Sequence, residues 1–133
     1  MPGMVRKTTG GISYGNPFVG AVKDTLHVKV DVSALTTADV DADGYLKPGL
    51  PLTIDGLKIG ATNTKRVGVV IEPIKIAFGN TGLASVTNDP FVVCGFTGAV
   101  NRDIMEDNLG RALTTDEIAG LNGVNSGIVL SLT

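Results

Sequence analysis

The clearest pattern along the chain is the strict alternation in TLHVKVDV, residues 25–32, with Leu26, Val28, Val30 and Val32 on one face and His27, Lys29 and Asp31 on the other. A period of two is that of a half-buried β-strand. KRVGVVIEPIKIAF (65–78) is a second, mostly apolar β region in which Glu72-Pro73 marks a bulge or an edge. PFVVCGFTGAV (90–100) is apolar enough to be buried on both faces, and SGIVLSLT closes the chain as a last strand. Between the first two regions, YLKPGLPLTIDG reads as short extended pieces. Pro48 and Pro51 each remove a backbone donor there, which places the pieces at a sheet edge or in a loop. GNTGLASVTND is a loop with turn residues at both ends.

Helical signals come late. Thr114 and Glu117 have the spacing of a capping box, in which hydroxyl and carboxylate satisfy backbone donors at a helix start. Ile118 and Leu121 then share one face and Gly123 supplies a stop. RDIMEDNLG predicts an earlier short helix with Ile104, Met105 and Leu109 inward and Gly110 ending it. The fold class expected is mainly β, a small β-barrel or β-sandwich-like domain with one or two short helices near the C-terminus. Residues 1–20 hold five Gly and two Pro with few large apolar side chains, which predicts a flexible N-terminal arm ahead of a single domain at 21–133.

Composition agrees with one globular domain: 133 residues, 43% hydrophobic, no Trp and 18 Gly. The net charge of −2 gives no reason to expect nucleic acid as a partner. Its distribution is uneven. Residues 1–30 carry Arg6, Lys7, Lys23 and Lys29 against Asp24, whereas residues 101–133 carry Arg102 and Arg111 against Asp103, Glu106, Asp107, Asp116 and Glu117. Such a split suits head-to-tail contact between copies, and ordinary scatter would produce it equally well. The apolar runs are too short to span a bilayer, and MPGMVRKTTGG is followed by no apolar h-region of a secretory signal. Both point to a protein made in a reducing cytoplasm.

Catalytic chemistry finds little material. Cys94 lies in an apolar setting that suits a buried thiol, and His27 stands on the wet face of its strand. GVNSG (123–127) resembles a nucleophile elbow but has Asn125 at the centre, and GATNTKR lacks Walker spacing. Asp39, Asp41 and Asp43 followed by Gly44 begin like an EF-hand loop. The twelfth position from Asp39, which must supply a bidentate Glu, is Leu50, so a turn is the expected role and a weak, incomplete cation site the alternative. The sequence therefore predicts no enzyme and assigns no catalytic, cofactor-binding or metal-binding residue. Binding remains. Ile12, Tyr14, Phe18 and Val19 are the bulky residues of the arm, placed either to anchor it on another chain's sheet edge or to fold back on their own domain.

DADGYLKPGLPL, RVGVVIEPIKI, PFVVCGFTGAVNRDIME and LTTDEIAGLNG followed by a closing strand, in that order over roughly residues 30–133, resemble the head decoration proteins of tailed bacteriophages, the lambda-type cement proteins. The resemblance implies a homotrimer on the outer surface of the expanded capsid at three-fold and quasi-three-fold positions. Its partner there would be the major capsid protein, with an N-terminal arm ordering against that protein, and neither membrane, nucleic acid nor cofactor is implied. A tail-tube or other virion β-domain protein, a small ligand-binding β-barrel and a degenerate calcium module are the competing readings.

Overall fold

The computed structural model describes residues 6–9, 12–76, 86 and 89–131. Its organising element is the long strand β8, Phe91–Asn101, in a chain whose strands are β1 (Arg6–Thr9), β2 (Ile12–Gly15), β3 (Phe18–Lys29), β4 (Tyr45–Leu46), β5 (Pro51–Thr53), β6 (Val67–Val70), β7 (Ile74–Lys75) and β9 (Gly127–Ser131). Helices α1 (Arg102–Leu109) and α2 (Thr115–Leu121) lie between β8 and β9. β8 pairs antiparallel with β3 along one side. On its other side it pairs with β6 near Gly95 and then, in parallel, with β9 from Thr97 to Asn101. β5 completes the five-stranded sheet beyond β6, and β1–β2 and β4–β7 form two small ribbons. The result is the mainly β, sandwich-like domain with two late helices that the sequence predicts.

The strand predicted at 25–32 is displaced. Its ladder runs from Phe18 and ends at Lys29, where Asp31 takes over by accepting the Ser33 N–H and capping a short 3-10 turn at Val32–Ala34. Val28, Val30 and Val32 are buried as the alternation requires, but Leu26 is exposed, on a strand that is the sheet's edge among the described residues. Between Val19 and Lys23, β3 advances four residues while β8 advances two, from Ala99 to Thr97, so the edge is broken by a bulge. An irregular edge of this kind resists unwanted strand pairing.

The apolar run at 65–78 divides where Glu72-Pro73 predicts it. β6 joins the main sheet with all four residues buried, while β7 leaves to pair with β4, and residues 77–78 lie outside those described. Pro51 opens β5, which pairs only with β6, so the missing N–H falls on a sheet edge. β8 is less uniformly buried than expected: Val92, Cys94, Phe96 and Val100 face the core, but Phe91 is exposed and Val93 only half-buried. The loop predicted from Gly79 lies largely outside the described residues.

Both helices start and stop on recognisable chemistry. The Asn101 side chain accepts the Ile104 N–H to begin α1, and Gly110, at φ 72°, ends it in the left-handed region. Ile104, Met105 and Leu109 point inward as predicted. Thr114 and Glu117 form the reciprocal capping box at α2. The core lies around Phe96, Val70, Leu52 and Leu121, each fully buried and each worth about 1.5–3 kcal/mol of transfer free energy. Gly68 lies flat on the Phe96 ring, and a Cβ there would sit 2.8 Å from ring carbons. Gly68→Ala should therefore destabilise the fold by about 1–3 kcal/mol in urea denaturation, and an unchanged midpoint would show that the ring has room to move.

Candidate functional site

The four bulky residues of the N-terminal segment do not behave alike. Tyr14 is 3% exposed and its hydroxyl donates to Asp41 Oδ2 at 2.6 Å. Phe18 is 2% exposed and enters the main sheet opposite Val100. Both fold back on their own domain, so the domain begins ahead of residue 21 and the arm drawn to residue 20 is too long. The reason is chemical: Tyr14 and Phe18 are the large side chains in a thin segment, and the domain offers a carboxylate for the one and an apolar cluster for the other. Ile12 stands in β2 opposite Thr9. Val19 alone of the three described side chains stays outward, at 49% exposure.

Asn108, which nothing in the pattern of the sequence singles out, completes this region. It is buried on α1, accepts the Gly15 N–H on Oδ1 at 3.0 Å and donates from Nδ2 to the Gly15 carbonyl at 2.8 Å. One side-chain amide thus satisfies both backbone groups of a single residue, as a neighbouring strand would.

The three alternating aspartates are parts of a turn. Asp41 Oδ1 accepts the N–H groups of Asp43 and Tyr45 while its other oxygen holds Tyr14. Asp39 is buried and accepts from the Thr36 N–H and hydroxyl and from Lys58 Nζ at 2.7 Å. The Asp39 and Asp41 oxygens face separate internal donors instead of one shared point, which is turn chemistry. Lys47, in the same turn, donates to the carbonyls of Ala38 and Leu109 and so ties the turn to the C-terminal end of α1.

Cys94 and Tyr14 are structural in setting. Burial pushes the Cys94 thiol up to about 12, so it stays protonated and unreactive. Burial and the neighbouring Asp41 also push the Tyr14 phenol well above its usual value. His27 is exposed on β3 opposite Val93. Among the described residues no three His, Cys, Asp or Glu side chains are grouped to hold a metal. Two shallow, adjoining clefts sharing Gly60 and Asn63 measure about 190 and 280 Å³, below the usual range of ligand pockets.

Several apolar side chains are exposed, among them Phe91, Val124, Val19 and Val129, and two of these share a row. Ala99 on β8 is paired with Val19 on β3 and with Val129 on β9, so the three side chains form a row across three strands. Val129 is 66% exposed. The row lies opposite the buried Phe18–Val100 pair on the other face of the same strands. Its alternation is in the sequence, but its exposure depends on the parallel return of β9, which no local pattern specifies. Comparison with family models, with curated proteins and with solved structures finds no match for this chain.

Glu117 carries the domain's best-defined ion pair. Arg111 Nη1 and Nη2 reach its two oxygens at 2.7 and 2.9 Å, a bidentate fork beside the capping box. Burial alone would push the Glu117 carboxyl up, but the fork and the bonds from Thr114 outweigh it and hold the group below the ordinary carboxylate value. Its contribution to stability is therefore complete above that ordinary value and is lost as pH falls through the lower folded one. Arg111→Ala should cost about 1.5–3 kcal/mol at neutral pH and move the acid unfolding midpoint to higher pH. Equal acid midpoints for the two proteins would remove the pair from this account.

Proposed function

We propose that this chain is a structural virion protein that binds the outer surface of an expanded phage capsid as trimers and cements the contacts between capsomers. The observation that carries the reading is the Val19–Ala99–Val129 row, exposed at both ends, on a domain that buries a continuous apolar cluster of its own. A protein of this size that leaves such a row uncovered, and whose reactive groups are buried or solvated singly, is suited to contact and not to turnover. The resemblance of the segments from DADGYLKPG to the closing strand supplies the class of partner. In that setting the row is the apolar seam between protomers, and an N-terminal arm orders against the major capsid protein. Many modest contacts repeated around a closed symmetry then add to a strong clamp. The two clefts lined by described residues are smaller than ligand pockets usually are, which favours this over a ligand-binding barrel.

Co-sedimentation with undecorated expanded heads, unexpanded shells and tail tubes tests the reading. Saturable binding to expanded heads alone is expected, and Val129→Asp should weaken it by at least about tenfold, since a charge would then face the seam. Binding to tubes alone would transfer the protein to the tail, and binding to none of the three would end the virion reading.

A further inference from the structure

We infer that β2 is a strap latched to its own domain at Asn108 and Asp41, able to leave this socket as a unit while the main sheet stays folded. Among the described residues, three side-chain hydrogen bonds hold it: Tyr14 hydroxyl to Asp41, Gly15 N–H to Asn108 Oδ1, and Asn108 Nδ2 to the Gly15 carbonyl. None of the three is part of the main-sheet ladder, and β2 pairs with β1 in a ribbon of its own. Tyr14 is buried, yet it stands outside the continuous apolar cluster that holds Phe18, Val100 and Cys94. Its socket lies on α1, whose Met105 and Leu109 do belong to that cluster, so the strap meets the core through this helix and not through the sheet.

The boundary between the strap and the main sheet is sharp. Asn16 Oδ1 accepts the Phe18 N–H at 3.1 Å, folding a tight turn over Pro17 between β2 and β3. On the far side of that turn the Pro17 carbonyl accepts the Asn101 N–H at 2.8 Å, and the ladder with β8 begins at Phe18. Rupture of the latch therefore stops at residues 16–17. A two-stranded ribbon has little stability of its own in water, so β1 and β2 depend on this latch for their order. The socket also gives Asp41 and Asn108 definite roles: Asp41 shapes its turn with one oxygen and holds the strap with the other. Local opening of this kind is drawn from the least stable part of a fold. That the freed strand then reaches a capsid surface rests on the function proposed above; the latch itself does not.

The test uses the free protein and needs no capsid. Hydrogen exchange of the Gly15 amide is compared with that of the Asn101 amide, and labelling of the Cys94 thiol reports opening of the core. In the wild type, Gly15 should exchange faster than Asn101, with Cys94 unlabelled on the same timescale. Asn108→Ala should speed Gly15 exchange by about tenfold or more and leave Cys94 labelling unchanged; Tyr14→Phe, which keeps the ring and removes one bond, should produce a smaller acceleration. A single common opening rate for Gly15, Asn101 and Cys94 in the wild type would overturn the inference, and that comparison decides it even if Asn108→Ala does not fold. Gly15 exchange indifferent to both substitutions would overturn it as well.

Discussion

Everything in this fold hangs on the two-sided pairing of β8. Its hydrogen-bonding groups are shared among three strands that come from the first, middle and last parts of the chain. β3 covers one side, while β6 and β9 divide the other at the level of Gly95 to Thr97. Each of these pairings is long-range, so none forms without closing a large loop, and the sheet is stable only when all are made together. The same arrangement decides the surface. Because β3 and β9 flank the end of β8, their alternate residues fall into register with Ala99 and leave the row of Val19 and Val129 facing outward.

Polar groups secure the outlying parts. The described residues leave no buried side-chain nitrogen or oxygen without a hydrogen-bond partner, as a stable interior requires. The Arg111–Glu117 fork fixes the linker between the helices, and Lys58–Asp39 fixes the aspartate-rich turn. Asn108 and Asp41 together fix the N-terminal strap. The fork spans six positions, whereas the strap contacts join residues 27 and 93 positions apart. On the exposed bulge of β3, Asp24, at φ 54°, accepts from Arg66 and Thr97, and Arg66 stacks on the Phe96 ring at 5.0 Å. That cluster anchors the sheet's edge to its centre.

The strand at Val28 and Val30, the division at Glu72-Pro73, β8, and the capping box at Thr114 were legible because each is written in consecutive residues. The turn role of Asp41 was legible from the absence of a carboxylate at Leu50. What was not legible depends on distant partners. Leu26 continues the alternation of Val28 and yet is exposed, and the burial of Tyr14 follows from a carboxylate 27 positions away. Asn108 looked like an ordinary residue of a polar helix face, since its partner Gly15 lies 93 positions earlier. The length of β3 upstream of Thr25 was hidden because Gly20 and the bulge interrupt the alternation that identifies a strand.

On the function proposed above, this domain holds neighbouring proteins in place through its uncovered apolar row and its N-terminal strap. Its effect should then appear as stability conferred on the assembly it joins. The most direct measurement is calorimetry of expanded capsids with increasing amounts of the protein. This account predicts that the melting transition of the shell rises and stops rising once the sites are full. A shell transition that stays where it was, with the protein bound at saturation, would contradict it.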